Sequence, residues 1–283
     1  EPQTETVWRQ ADKYHVPRIC FCNKMDKIGA DFLKTVESIR EKLSTNPLIM
    51  ALPIGAERDF KGIVLLMEQK ALIWEGDDTG AKFNEVTIPK NMTGDVKKYR
   101  QEMIEKICET DDKLLEKYLN GEEPRFDELK AALRRATIAY KLVPTFCGSS
   151  LRNKGVQPLL DAVVDYLPSP IDIPPVAGYN PFNQSQEERK TDKNGYFSAL
   201  AFKIQTDPHV GRLTYLRIYS GTLRAGESVL NVAHSESERV GRLLLMHANK
   251  REEIKEAYAG EIVGVIGLVK TVTGDTLADQ NHP

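Results

Sequence analysis

Asn23-Lys24-Met25-Asp26 follows directly on a short apolar run, Arg18-Ile19-Cys20-Phe21-Cys22. An ionised Asp26 can accept two hydrogen bonds side by side, and guanine offers that donor pair in its ring N–H and exocyclic amine. Adenine has no such pair and would leave the carboxylate badly matched. The Lys24 stem can lie across a base face, and the Asn23 amide can bridge to neighbouring loops. As a bare string, Asn-Lys-x-Asp also fits an ordinary polar turn with a helix cap. Its place at the C-terminal end of a buried strand, where open α/β sheets bind ligands, gives the base-binding reading its weight. A second small-residue turn, Cys147-Gly148-Ser149-Ser150-Leu151, follows another apolar run over 141–147. Backbone N–H groups in such a turn can meet a base carbonyl, and small side chains allow close approach. A plain strand-to-helix turn is the alternative. Two such turns on adjacent strand ends together favour a guanine pocket.

The elements that must position these turns are readable from period. A helical pattern covers 3–15, with Val7, Trp8, Ala11 and Tyr14 on one side, and another covers 31–43, with Phe32, Val36, Ile39 and Leu43 as its stripe. Strand, polar turn and helix in that order are the rhythm of an α/β sheet. It resumes with a strand over 141–147 and a helix over 156–167, whose apolar positions are Val156, Leu159, Leu160, Val163, Val164 and Leu167. Pro144 argues for an edge position of that strand. Between these units the pattern changes. Strands are expected over 63–67, 71–74 and 83–89, with a turn over 76–80, then helices over 95–119 and 126–140. The expected organisation is therefore a partial α/β domain over 1–46 and 142–168, an α+β insert over 47–141, and a proline-rich linker over 169–183. After it, over 184–283, comes an all-β small barrel, with strands over 197–204, 213–219, 228–232, 240–247 and 262–268.

Composition bounds the partners. The chain has 283 residues, 39 Lys plus Arg against 41 Asp plus Glu, and a formal net charge of −2. Any nucleic-acid contact must then come from a local patch. Arg212, Arg217, Arg224, Arg239, Arg242, Lys250 and Arg251 are candidate phosphate contacts, weighed against a solvated face balanced by Glu236, Glu238, Glu252, Glu253 and Glu256. The acidic run on the helix expected over 95–119 reads as a solvated face. Cys20, Cys22, Cys108 and Cys147 form no Cys-x-x-Cys pair and fit core packing. The five histidines have no metal-ligand spacing, and no catalytic triad pattern is present. No run approaches 18 apolar residues and no leader opens the chain, so neither a membrane span nor secretion is expected.

The two turns, extended to Lys-Ile-Gly-Ala-Asp-Phe over 27–32 and to the whole of 148–163, resemble bacterial or organellar elongation factor G. The segments 202–221, 247–254 and 273–277 resemble its second domain, and the insert resembles its extra subdomain. Ribosomal protection proteins and elongation factor four are weaker matches, for lack of a comparable insert. The resemblance implies a P-loop GTPase fold and a GTPase that drives tRNA and mRNA translocation on the ribosome, in the cytoplasm or an organellar matrix. It implies that Asn23, Lys24 and Asp26 hold guanine of GTP or GDP, and that Ser149, Ser150 and Leu151 form the turn over its carbonyl edge. Ser150 stands where the family usually has Ala, a change that leaves a backbone contact intact. Partners implied are ribosomal RNA and proteins, with the stalk protein meeting the insert, and not DNA. The chain contains no Gly-x-x-x-x-Gly-Lys-Ser/Thr and no Asp-x-x-Gly followed by His at a strand end. It is thus expected to be a central fragment that does not hydrolyse GTP by itself, with phosphate and Mg ligands upstream and further domains downstream. A strand upstream would flank residues 18–22, so the α/β part is expected to be the least stable. The competing reading is a non-enzymatic ribosome-binding module.

Overall fold

A computed structural model describes residues 2–74, 82–207, 211–247 and 250–283. The turn expected over 76–80 lies outside these residues, as do positions 208–210 and 248–249 of the motifs quoted above. The chain forms two compact units, Glu1–Pro168 and Ser169–Pro283.

The first unit runs α1 (Pro2–Lys13), β1 (Cys20–Cys22), α2 (Phe32–Leu43), β2 (Pro47–Ile49), β3 (Ala51–Ile54), β4 (Gly62–Leu65), β5 (Lys70–Ile73), β6 (Asn84–Val86), α3 (Thr93–Cys108), α4 (Asp112–Leu119), α5 (Phe126–Ile138), β7 (Val143–Cys147) and α6 (Val156–Tyr166). Three parallel strands lie in the order β1-β7-β2, and β3 to β6 form a separate antiparallel sheet in chain order. Residues 47–49, at the start of the segment expected to be an insert, thus share a sheet with β1 and β7. One apolar core runs through the unit, from Cys22, Phe32 and Leu48 to Ile63, Ile107 and Leu133.

Pro144 sits in the central strand, not at an edge. Val143 N–H donates to Asn46 O, and Met50 N–H donates to Thr145 O, both at 3.0 Å, so the odd residues of β7 face β2. Pro144 turns its missing N–H toward β1, whose ladder begins one residue later, at Thr145 opposite Cys20. The single helix expected over 95–119 is two helices. Asp111 breaks it by accepting from Leu114 N–H at 3.2 Å and pairing with Arg135 at 2.6 Å. On α6 the buried side is Pro158, Ala162 and Tyr166, while Leu160, Val163 and Val164 are exposed.

The second unit opens with a hairpin, β8 (Val176–Tyr179) paired with β9 (Gln186–Arg189), part of which falls in the expected linker. Then follow β10 (Ser198–Asp207), β11 (Gly211–Ser220), β12 (Thr222–Arg224), β13 (Ser228–Asn231), β14 (Glu236–Arg239), β15 (Arg242–His247), β16 (Lys250–Ile254), β17 (Glu256–Tyr258), β18 (Ile262–Ile266) and β19 (Thr276–Ala278). Eight of them form one antiparallel sheet, β14-β13-β19-β10-β11-β18-β15-β16, and β12 pairs with β17. Leu216, Ile218, Leu223, Val240, Leu243, Val263, Val265 and Leu277 are fully buried in its core. The second unit is therefore β-rich and barrel-like, following an α/β unit.

A buried polar knot fixes the loop between β18 and β19. Asn231 Nδ2 donates to Asp275 Oδ2 at 2.8 Å, and the N–H groups of Val269 and Lys270 both donate to Glu238 Oε2 at 2.8 Å. Val272 N–H donates to Asp275 at 2.8 Å. Arg212 adds donors to Val269 O and Thr271 O. Burial pushes both carboxyls up, but the Thr271 hydroxyl, the Lys270 and Val269 N–H groups and Asn231 outweigh it at Glu238, and Asn231, Val272 N–H and His234 outweigh it at Asp275, holding both below the usual carboxylate range. With folded values lowered, their stabilisation is present above the unfolded values of about 4.3 and 3.9. It is lost as pH falls through the folded values. Acid titration followed by amide NMR should show Val269, Lys270 and Val272 losing protection below about pH 4. Glu238→Gln should flatten that dependence, and an unchanged profile in the variant would remove the knot from the account.

Candidate functional site

β1 and β7 pair in parallel with Cys22 opposite Cys147, so the loops after them leave the same edge of the sheet side by side. The ladder continues into both. Gly148 N–H donates to Cys22 O, and Met25 N–H donates to Gly148 O, each at 3.1 Å. Asn23 then binds the loops through its side chain. Its Nδ2 donates to Ser150 Oγ at 2.8 Å, and its Oδ1 accepts from Ser150 N–H at 2.9 Å and from Lys24 N–H at 2.7 Å. The chain turns sharply there, with Lys24 at φ +64°. Beneath the loops, burial pushes the Cys22 thiol up to about 12 and the Cys147 thiol well above its ordinary value. Both are neutral packing groups.

The second loop is closed on itself. Ser149 N–H donates to Lys154 O at 2.9 Å, and Lys154 N–H returns to Ser149 O at 3.0 Å. Asn153, at φ +51°, helps make the turn between them, and Gly155, at φ +80°, follows Lys154. At Gly148 a Cβ would lie 2.3 Å from Lys154 O and 2.6 Å from the Phe21 ring, so no side chain fits there.

Asp26 lies in the first loop, with its side chain 17% exposed. The Ser149 hydroxyl beside it, then its own backbone N–H, Lys27 and Arg152, hold it below the usual carboxylate range against the opposing effect of burial. Ser149 is 1% exposed, and its Oγ makes no hydrogen bond of full geometry within the protein. A buried hydroxyl with spare capacity beside an ionised carboxylate suits a planar ligand that brings two adjacent donors.

The structure brings Asn23, Asp26, Ser149 and Ser150 together. Lys24 is exposed, and Leu151 is 78% exposed. The Ser149 and Ser150 amides donate to Lys154 O and Asn23 Oδ1. Sequence reasoning missed Glu57, which bonds to the first loop, and the bond from Lys154 Nζ to Phe60 O that ties the second loop to the 55–60 turn. No local pattern marks either residue, since one lies between two short strands and the other in a polar turn.

Residues 1–169 match the family model described as the elongation factor Tu GTP binding domain, and residues 196–280 match that described as elongation factor G domain 2. A crystal structure of a protein from Thermus thermophilus superposes with a TM-score of 0.80 at 30% sequence identity. The match covers 99% of this chain and 38% of that one, so the chain spans little more than a third of that protein's length.

Gly148→Ala should destabilise the first unit by roughly 2–4 kcal/mol, because the backbone of both loops must move to admit a methyl group. Thermal unfolding measures this; a melting temperature equal to that of the parent chain would mean the loops are less tightly joined than described.

Proposed function

Since the chain belongs to the family of the elongation factor Tu GTP binding domain, we propose that its two stapled loops hold the guanine base of GTP or GDP. Asp26 accepts from the ring N–H and the exocyclic amine, Leu151 N–H meets the base carbonyl, and the Lys24 stem covers one face. Asn23 and Ser150 hold the loops at that spacing, and Ser149 keeps Asp26 ionised. The observation that carries this reading is the pair of loops leaving one sheet edge side by side and joined by the Asn23 side chain to Ser150, with Asp26 on the first of them. GTP hydrolysis is the chemistry such a base site serves in a complete GTPase. No cluster of three His, Cys, Asp or Glu side chains among the described residues is placed to hold a metal, so the proposal rests on the base alone.

The match to elongation factor G domain 2 supports a finer reading: a translocation GTPase of the elongation factor G type, working in the cytoplasm or an organellar matrix on the ribosome. Ribosomal RNA would meet the second unit and the stalk protein the 47–141 segment. The 283 residues alone would bind guanine nucleotide weakly and not turn it over. Among the basic candidates, Arg212 is occupied by Val269 O and Thr271 O, and Arg224 and Arg242 pair with Glu256 and Glu253 at 3.5 and 3.8 Å. Arg217 and Lys250 make no ion pair among the described residues and are better phosphate contacts than these three.

Two charge-assisted hydrogen bonds of about 1.5–3 kcal/mol each, offset by ordering costs, give an expected GDP affinity in the millimolar range. In NMR titrations with GDP and ADP, Asp26→Asn should reduce the preference for GDP by about tenfold or more. An unchanged preference would return the loop to an ordinary polar turn. Arg217→Glu should weaken sedimentation of the chain with ribosomes and flatten its salt dependence, whereas Arg212→Glu should lower the melting temperature of the second unit first. Equal ribosome binding by parent and Arg217→Glu at all salt concentrations would assign Arg217 to a solvated face.

A further inference from the structure

Both base loops are tied to one turn that neither motif contains. Residues 55–60 connect β3 to β4, and at Gly55, with φ +77°, a Cβ would lie 2.0 Å from Asp59 O. Within this turn Glu57 makes two bonds to the first loop. Its N–H donates to Met25 O at 2.9 Å, and its Oε1 accepts from Gly29 N–H at 2.6 Å. Those bonds fall on either side of Asp26, one residue before it and three after. Phe60 ends the turn, buried in the core, and its carbonyl accepts from Lys154 Nζ at 3.2 Å. Lys154 is the residue whose backbone closes the Ser149 loop. One turn of the antiparallel sheet therefore holds the Asp26 loop at two points and the Ser149 loop at one. Glu57 takes a φ of +54°, a conformation that a residue with a side chain adopts rarely and keeps where its surroundings fix it.

We infer that Glu57 is a positioning residue for guanine selection, acting through Met25 and Gly29 on the aim of the Asp26 carboxylate. This rests on the guanine reading given above. Glu57 acts on the loop that carries Asp26 and not on the base. Its carboxylate and amide together remove the freedom of residues 25–29 to pivot on Asn23. Selection needs it because two hydrogen bonds from one carboxylate to one base edge tolerate little rotation before one of them is lost. The same turn couples the sheet of β3 to β6 to the base loops, so a partner that strains that sheet would be felt at Asp26.

The test uses the 283-residue chain, with amide exchange and NMR titrations of GDP and ADP. Glu57→Ala should speed exchange of the Gly29 amide by roughly tenfold. It should also lower the ratio of the ADP to the GDP dissociation constant by about threefold or more. Glu57→Gln, whose side-chain oxygen still accepts from Gly29, should keep both close to the parent. A residue that merely supports the fold would lower the melting temperature and leave the ratio alone. Lys154→Met, which removes the bond to Phe60 but keeps the backbone bridge, is the second variant and should also lower the ratio if Glu57→Ala does not fold. A parent chain that prefers GDP, with the ratio intact in the folded variants, overturns the positioning role and leaves the guanine site standing. A parent chain without preference overturns both.

Discussion

The parallel pairing of β1 with β7, Cys22 opposite Cys147, is the constraint on which the site depends. In a parallel pair the two chains end on the same side, so both following loops start from one edge at strand spacing. Everything polar above that edge is arranged by this pairing. The Asn23 side chain can bond Ser150 because the two residues leave their strands together. A shift of one residue would turn Cys22 and Cys147 to opposite faces and part Asn23 from Ser150. The buried, neutral thiols beneath are packing groups that fill the narrow space between strands and loops.

The loops above the sheet carry tension that the sheet absorbs. Lys24, Asn153 and Glu57 have positive φ. Each costs about 1–3 kcal/mol, and such features persist only where neighbours over-determine them. Here the neighbours are the Asn23 amide, the Ser149–Lys154 bridge and the 55–60 turn. The outcome is a carboxylate at Asp26 that stays ionised while mostly shielded. A bare loop at a surface would leave that carboxylate mobile, and deep burial would protonate it. The second unit solves a similar problem differently. Glu238 and Asp275 are kept charged by N–H groups of the loop that they organise, so charge there serves structure and not ligand.

Much of this is legible from residue order. Asn23, Asp26 and Ser149 stand out because their types have a narrow chemical use and both turns follow apolar runs. The α/β rhythm and the later β-rich unit follow from period. What stays hidden has physical reasons. β14 and β16 are made of Glu, Ser, Lys and Arg with one Ile, so no apolar alternation marks them; their ladder is set by the partners β13 and β15. Pro144 reads as an edge residue because sequence cannot say which neighbour its missing N–H would face. The break at Asp111 lies within an unbroken helical period and shows only as a side-chain cap. Val156, Leu159, Leu160, Val163, Val164 and Leu167 form one helical stripe, yet Leu160, Val163 and Val164 are exposed and the neighbouring Pro158, Ala162 and Tyr166 are buried, so period alone does not choose the buried face. Glu57 is separated from Asp26 by a helix and two strands, and only tertiary folding brings it to Gly29.

The central claim, that these two loops form one guanine-selective site, is tested most directly by mapping amide shifts in the parent chain with GDP and with ADP. The account predicts that GDP moves the amides of residues 23–29 and 149–152, with Leu151 prominent, and that ADP at equal concentration moves them far less. Equal shifts with both nucleotides, or GDP shifts centred away from both loops, would contradict it.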